Sequence, residues 1–287
     1  MMEQKDIVLD VKKLNTSFVS DGKTVRIVKD VSFQLKRGKT LAIVGESGCG
    51  KSVTVHSIVK LLPQNARFHA DHVLYRRLDE KTGKVSEFNI AEMNPKGKEM
   101  RALRGADLGM VFQDPMSSLN PVYKVGDQVA EALMEHNKGM KKEEALKRVL
   151  QMFKNLGIPD PESRLHDYPH QFSGGMKQRV VIAIAMINNP EIIIADEPTT
   201  ALDVTIQAQI MELMKDLQLN MGKSIILITH NMGLVAEQAD EVCVMYMGRI
   251  VEFGSLEQIF EHPSHPYTQA LLRSVPVLGL ADDQKLE

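Results

Sequence analysis

Eight consecutive residues carry the types and the spacing that bind phosphate groups. Their order, GESGCGKS, fits the pattern G-x-x-x-x-G-K-S/T at every fixed position. Glycines let the backbone turn several N–H groups toward one anion, and a following helix adds the positive end of its dipole. The lysine supplies a full charge for the β- and γ-phosphates, and the last hydroxyl is placed to bind Mg²⁺. The pattern therefore predicts a nucleoside triphosphate on Gly45, Glu46, Ser47, Gly48, Cys49, Gly50, Lys51 and Ser52.

The residues on either side of this loop predict the elements that would position it. The apolar run from Leu41 to Val44 is typical of a buried strand. The segment after the loop is apolar at helical spacing and stops at Pro63. A glycine turn that merely happens to precede Lys-Ser is the alternative interpretation. Because a strand and a helix flank the loop, the context favours phosphate binding.

Three other predicted strands end in polar side chains that can act on a phosphate. In an open α/β sheet, the carboxyl ends of the strands line the ligand crevice, so we expect these side chains to meet. A carboxylate that closes such a strand can hold Mg²⁺ indirectly, and a neighbouring carboxylate can accept a proton from an attacking water. A solvated turn is the alternative for such an Asp-Glu pair. The side chains in question are Gln113, Asp196 with Glu197, and His230.

Small residues stand at the predicted start of a helix over residues 173–187. Exposed N–H groups and a hydroxyl at Ser173, Gly174 and Gly175 would form a second anion site. The alternative is a serine cap followed by glycines that permit close packing. Phe18 also has two interpretations: it is either an ordinary core residue or an aromatic ring on which an adenine stacks. Asp203 is a plausible cap of the next helix.

The remaining chain predicts supporting structure. Residues 7–35 alternate as half-exposed strands around an Asp21-Gly22 turn, and residues 64–100 suggest an antiparallel ribbon that turns near Thr82-Gly83. The spacing across residues 126–157 predicts a helical run. We expect four cations of the ribbon to form a solvated face: Arg76, Arg77, Lys81 and Lys84.

Composition excludes several classes of function. The formal net charge of -2 gives no electrostatic case for a nucleic-acid partner. Cys49 and Cys243 suggest neither a disulfide framework nor a metal site. No apolar run approaches the roughly 20 residues that span a bilayer, so we expect any membrane role to act through a partner.

Together these motifs resemble the ATP-binding subunit of ATP-binding-cassette (ABC) transporters over essentially the whole chain. GESGCGKS looks like Walker A, and IIIADE looks like Walker B with its catalytic glutamate. FSGGMKQ resembles the family signature LSGGQ, with Met176 in place of the final glutamine. Gln113 matches the Q-loop, TALD (200–203) the D-loop and His230 the switch histidine.

The resemblance implies an α/β fold, with a phosphate-loop NTPase (RecA-like) core, an antiparallel β subdomain and an inserted helical subdomain. We expect an ATPase domain over 1–254 and a C-terminal extension over 255–287. Within the domain, antiparallel β parts would lie in 1–40 and 64–107, and the helical subdomain at about 115–172.

The resemblance also assigns roles to the candidate residues, with ATP and Mg²⁺ as cofactors. The catalytic residues would be Glu197, His230, Lys51 and Gln113. Mg²⁺ would bind Ser52, Gln113 and Asp196. Besides the phosphate loop, the nucleotide would contact Phe18, Gln113, Ser173, Gly174, Gly175, Asp203 and His230.

Three segments resemble the dipeptide/oligopeptide/nickel importer ATPases in particular: GESGxGKS, FQDPMSSLNP (112–121) and the tail HPSHPYTQALLRSVP. Peptide import is the function this implies, with nickel, oligosaccharide or another small solute as alternative cargo. The implied partners are a second ATPase subunit, two transmembrane permease subunits and, indirectly, an extracytoplasmic binding protein. The resemblance favours a related paralogue as the second ATPase subunit, with an identical copy as the alternative. The chain would lie at the cytoplasmic face of the membrane. Because no cysteine follows Cys243, no iron–sulfur cluster is predicted.

Other classes fit the sequence less well. A chromosome-maintenance ATPase of the same family would need long coiled coils between Walker A and the signature, and no such heptads are present. A phosphate-loop kinase or helicase would not carry SGGMKQ ahead of the Walker B strand. A nucleotide-binding module without hydrolysis would have no use for Glu197 and His230.

Overall fold

The computed structural model describes residues 4–79, 81–200 and 202–274. Its strands are β1 (Ile7–Ser20), β2 (Lys23–Lys36), β3 (Thr40–Val44), β4 (Ala66–His69), β5 (His72–Leu78), β6 (Val85–Asn89), β7 (Leu108–Val111), β8 (Ile192–Asp196), β9 (Ser224–Thr229), β10 (Glu241–Tyr246) and β11 (Arg249–Ser255).

Its helices are α1 (Lys51–Ile58), α2 (Lys98–Leu103), α3 (Pro115–Ser118), α4 (Val125–His136), α5 (Lys142–Asn155), α6 (Pro161–Arg164), α7 (Gly174–Met186), α8 (Val204–Leu219), α9 (Met232–Gln238), α10 (Leu256–Glu261) and α11 (Pro266–Arg273). In the described residues no helix combines the length and the apolar character needed to cross a membrane.

The chain divides into two compact units. The first comprises the described parts of Met1–Glu92 and Ile226–Glu287, and the second comprises Met93–Ile225. In the first unit, β2, β1, β5 and β6 form an antiparallel sheet in that order, and β4 also pairs with β1. Asp21 and Gly22 form the turn predicted between β1 and β2, and both have positive φ, of 50° and 74°, as a type I′ hairpin turn requires.

The first unit also contains parallel strands. β3 and β10 pair in parallel, with Leu41 beside Glu241, and β11 pairs antiparallel with β10. Every residue of β3 is buried, as the unbroken apolar run predicts. Helices α10 and α11 add Leu256, Phe260 and Leu271 to the core beneath these strands. Helices α10 and α11 therefore pack against the same hydrophobic cluster as β3, the strand that precedes the phosphate loop.

The second unit combines a parallel strand pair with helices. β7 and β8 pair in parallel from Leu108 beside Ile192 to Val111 beside Ala195. The helical run predicted over 126–157 is two helices, α4 and α5, separated by residues 137–141. Gly139 has φ of 97° in this break, a conformation that interrupts a right-handed helix.

One predicted surface residue is buried. Arg77, Lys81 and Lys84 are exposed, as expected for a solvated face. The prediction for Arg76 is wrong, because this side chain is only 6% exposed. Its Nε donates to Glu87 Oε2 at 2.9 Å, and Glu87 lies directly opposite in the β5–β6 pairing. This ion pair, with Asp10 Oδ2 at 3.8 Å from Arg76 Nη2, compensates the charge of the buried side chain.

Candidate functional site

The phosphate loop lies between the end of β3 at Val44 and the start of α1 at Lys51, as predicted. Gly45, Gly48 and Gly50 all have positive φ, of 149°, 79° and 108°. A Cβ on Gly45 would lie 2.2 Å from the carbonyl oxygen of Met245, so no larger residue fits there. These glycines let the chain turn within six residues, the kind of backbone in which successive N–H groups can face one anion.

Lys51 is held inside the loop that it follows. Its side chain is 4% exposed, and its Nζ donates to the carbonyl oxygens of Gly45 at 2.8 Å and Glu46 at 3.0 Å. No side chain caps the N-terminus of α1, where Gly50 is the capping residue. A buried ammonium beside an uncapped helix N-terminus suits a polyphosphate, because both favour negative charge.

The loop's cysteine does not contribute reactive chemistry. Burial raises the pKa of the Cys49 thiol above its ordinary value, although the nearby Lys51 charge lowers it. Burial likewise raises the pKa of the Cys243 thiol. Because the thiolate is the nucleophilic form, both side chains act as small apolar groups near neutral pH.

Two other candidates belong to the first unit. Phe18 is half-buried near the end of β1, opposite Val25 of β2 and Ala66 of β4. The Phe18 side chain is thus partly accessible to solvent, and its burial alone does not decide between a core role and an adenine contact. His230 is exposed immediately after β9, and Asn231 caps α9 by accepting the Gly233 N–H at 3.0 Å. That cap fixes the backbone directly after His230.

In the second unit, two predicted catalytic residues are in contact. The Gln113 amide Nε2 donates to Glu197 Oε2 at 3.0 Å. The same oxygen accepts a hydrogen bond from the Thr200 hydroxyl at 2.9 Å. Two donors on one carboxylate oxygen restrict its rotation, so the Glu197 side chain has a defined direction. Asp196, at the end of β8, is buried.

The backbone at Glu197 is unusual for a residue with a side chain. Its φ is 47°, in the left-handed region that glycine adopts readily and other residues adopt at a cost. The Thr200 N–H donates to the Glu197 carbonyl oxygen at 3.2 Å, closing a turn directly after β8. The turn brings the Thr200 hydroxyl to the carboxylate. Thr200 was predicted only as part of the D-loop match, with no role at the carboxylate, although a hydroxyl three residues after a carboxylate was a visible signal.

Ser173 caps α7, whose first residue is Gly174. The Ser173 Oγ accepts the Met176 N–H at 3.3 Å. Ser173 and Gly174 are exposed, whereas a Cβ on Gly175 would lie 2.6 Å from Cγ2 of Ile206 on α8. Ser173 therefore caps the helix, and Gly175 permits its close packing on α8. The N-terminus of α7 is exposed, so the anion site predicted there is accessible to a ligand. Asp203 caps α8 by accepting the Ile206 N–H at 2.9 Å, as expected.

We expect the two glycines of this segment to respond differently to alanine. Gly175→Ala should lower the free energy of unfolding by about 1–3 kcal/mol, because the new methyl overpacks the contact with Ile206. Gly174→Ala is the matched control, since the nearest atom to its Cβ would be 3.6 Å away, at Leu202. Urea unfolding of both variants measures the difference. Equal losses would contradict the packing role of Gly175.

Sequence analysis also missed a contact from the C-terminal segment. The Glu46 N–H of the phosphate loop donates to the Tyr267 hydroxyl at 3.0 Å. Tyr267 lies on α11, and its ring centroid is 4.4 Å from that of Tyr246. No local pattern in the tail indicated this contact, because the two residues are 221 positions apart.

Comparison with known proteins identifies the chain's relatives. A profile of the ABC transporter family matches residues 28–200, and a profile of the oligopeptide/dipeptide transporter C-terminal region matches residues 251–287. The dipeptide transport ATP-binding protein DppD of Bacillus subtilis is 54% identical, over 95% of this chain and 78% of that protein. The oligopeptide transport ATP-binding protein OppD of the same organism is 51% identical, over 97% of this chain and 75% of that protein.

A solved structure confirms the predicted fold class. It is the dimeric post-hydrolysis state of an ATP-binding cassette bound to ADP and Pi. It aligns with a TM-score of 0.71 and 26% identity, covering 86% of this chain and 98% of that one. With the family match over residues 28–200, this supports ATP hydrolysis as the reaction. The chain belongs to the ABC transporter family.

Proposed function

We propose that this chain is the ATP-hydrolysing subunit that powers import of di- and oligopeptides through a membrane ABC transporter. The observation that carries the proposal is the match of residues 251–287 to the oligopeptide/dipeptide transporter C-terminal region. The identities of 54% and 51% to peptide-transport ATP-binding proteins support it. We further propose an ATPase domain over 1–254, with a helical subdomain at about 115–172, and an extension over 255–287.

In this proposal, one subunit supplies the phosphate loop and a second subunit covers the nucleotide. Phe18 stacks on adenine, the loop N–H groups bind the phosphates, and Lys51 turns from the Gly45 and Glu46 carbonyls toward them. Ser173, Gly174 and Gly175 of the second subunit, with Asp203, complete the site. The exposed start of α7 supports this arrangement, because N–H groups there can meet a partner's ligand.

The candidate residues fit Mg²⁺ by the chemistry of their donors. The Ser52 hydroxyl, the Asp196 carboxylate and the Gln113 amide all offer oxygen, the ligand that Mg²⁺ prefers. Gln113 donates to Glu197 through its nitrogen, so its oxygen is a separate atom that can face a cation. When bound, Mg²⁺ neutralises charge on the β- and γ-phosphates.

The chain's own residues orient the attack on the γ-phosphate. Glu197 accepts a proton from the attacking water, held in direction by hydrogen bonds from Gln113 and Thr200. His230 contacts the γ-phosphate. Because positioning and charge stabilisation account for most of phosphoryl-transfer catalysis, small displacements of Glu197 should slow the reaction strongly. Hydrolysis then releases the second subunit, as in other switches that sense a γ-phosphate.

The permease contact is proposed for the segment from Gln113 to Val125. Val122 and Tyr123 are apolar and expose 71% and 59% of their surface, which supports a partner at this segment. The proposed assembly has two ATPase subunits, this chain and a related or identical copy, with two transmembrane permease subunits. An extracytoplasmic binding protein delivers the solute, and the ATPase lies at the cytoplasmic membrane face.

A transport experiment tests the cargo. We expect deletion of the gene to abolish uptake of radiolabelled di- and oligopeptides, with restoration by the wild-type chain and not by Glu197→Gln. Uptake of labelled nickel and of oligosaccharide, measured in the same strains, is the control. Unchanged peptide uptake with lost nickel or oligosaccharide uptake would contradict the peptide proposal and support the corresponding alternative cargo.

A further inference from the structure

The start of α11 is fixed by contacts with β11. The Glu252 carboxylate accepts the N–H groups of Ser264 at 2.6 Å and His265 at 3.0 Å. His265 in turn caps α11, because its Nδ1 accepts the Tyr267 N–H at 3.1 Å. Tyr267 is thereby attached to the sheet through its own backbone. Its side-chain position follows from the fold of the C-terminal segment rather than from the phosphate loop.

The Tyr267 ring is also supported on its side. It packs against Tyr246, at the end of β10, with ring centroids 4.4 Å apart and planes tilted by 38°. It also joins the hydrophobic cluster that contains Val44, the last residue before the phosphate loop. Ring contact and backbone anchor together hold the hydroxyl at a defined point.

That hydroxyl contacts one particular peptide group. The Glu46 N–H donates to Tyr267 Oη at 3.0 Å, and the Gly45 carbonyl of the same peptide accepts from Lys51 Nζ at 2.8 Å. A peptide group is planar, so its N–H and C=O turn together. The Gly45–Glu46 peptide is therefore held from both edges, by the C-terminal segment on one and by the phosphate-loop lysine on the other.

We propose that Tyr267 is a positioning residue for the nucleotide site, acting through the Gly45–Glu46 peptide. It does not touch the nucleotide. By keeping that peptide in one orientation, its hydroxyl keeps the loop N–H groups in the arrangement that receives the phosphates. It also keeps the Gly45 carbonyl in place, so that Lys51 is held inside the loop, from which it turns to the phosphates when ATP arrives. The inference rests on the proposed role of the loop and Lys51 in binding ATP.

Tyr267→Phe in the full chain tests the inference, because it removes the hydroxyl and keeps the ring. One lost hydrogen bond should weaken Mg-ATP binding about five- to tenfold, measured by isothermal titration. The rate of hydrolysis at saturating ATP should change less than about twofold, since the reacting groups remain. Tyr246→Phe is the matched control, because it removes the hydroxyl of the neighbouring ring and leaves the ring contact and the Glu46 N–H bond to Tyr267 in place. Its affinity should equal that of the wild type.

Hydrogen exchange provides a second, local measurement. In nucleotide-free Tyr267→Phe, the peptide covering residues 45–52 should exchange faster, while peptides from β8 keep the wild-type rate. Unchanged affinity and exchange in Tyr267→Phe would overturn the inference, as would equal effects of Tyr246→Phe or acceleration throughout the chain. A wild-type chain that fails to bind ATP would instead overturn the proposed function, so the two failures are distinguishable.

Discussion

Glu197→Gln is expected to lower the rate of ATP hydrolysis by about 10²- to 10⁴-fold, the usual contribution of a general base. Glutamine has nearly the same shape and keeps an oxygen that can accept from Gln113 and Thr200, but it cannot take a proton from water. ATP binding should remain within about twofold of the wild type, because the loop around Lys51 is unchanged. Phosphate release and titration with Mg-ATP measure the two effects separately.

A charge-matched variant controls this experiment. Glu212→Gln removes the same charge from an exposed position on α8 in the same unit and should hydrolyse ATP at the wild-type rate. In the proposed cycle, release of the second subunit follows hydrolysis, so Glu197→Gln, purified together with its second ATPase subunit, should also accumulate as an ATP-bound dimer in gel filtration. Undiminished phosphate release by Glu197→Gln would refute the assignment of this carboxylate as the base.

Lys51→Ala is expected to weaken ATP binding about 10- to 100-fold, the cost of losing a hydrogen bond from a charged group to phosphate. Hydrolysis should fall about 10²- to 10³-fold, because the ammonium also stabilises charge that develops on the transferring phosphoryl group. Addition of a fixed concentration of ATP should raise the melting temperature less than in the wild type, since ligand stabilisation follows the ratio of ligand concentration to its dissociation constant.

Two further variants separate charge from shape at this position. Lys51→Arg keeps the cation, but the side chain is only 4% exposed, and a planar guanidinium should not fit the same two carbonyls. Lys23→Ala removes an exposed lysine at the start of β2 and should leave binding and hydrolysis unchanged. A normal ATP-induced rise in melting temperature for Lys51→Ala would exclude Lys51 as a phosphate ligand.

The parts of the molecule that sequence analysis predicted correctly are those coded by adjacent residues. The apolar run 41–44, the glycine loop and the helix after it follow one another, so strand, turn and helix could be expected directly. Helix caps are equally local: the Ser173 and Asp203 side chains accept N–H groups only three residues further on.

The parts that sequence analysis missed depend on pairing over a distance or on backbone geometry. The burial of Arg76 depends on the β5–β6 register, which places Glu87 opposite it. The bond from Thr200 to Glu197 depends on a left-handed residue that no propensity would place at a glutamate. Gly139 is a local signal for the break between α4 and α5. The helical spacing of apolar residues continues on both sides of it, and for that reason one helical run was predicted.

The left-handed backbone at Glu197 implies a trade-off between stability and activity. A residue with a Cβ in this conformation costs roughly 1–2 kcal/mol of backbone strain relative to glycine. Glycine would relieve the strain, but it has no carboxylate, so it would remove the proposed base together with the hydrogen bonds from Gln113 and Thr200. The protein therefore carries a local destabilisation at the residue assigned to the reaction, and its remaining contacts compensate for it.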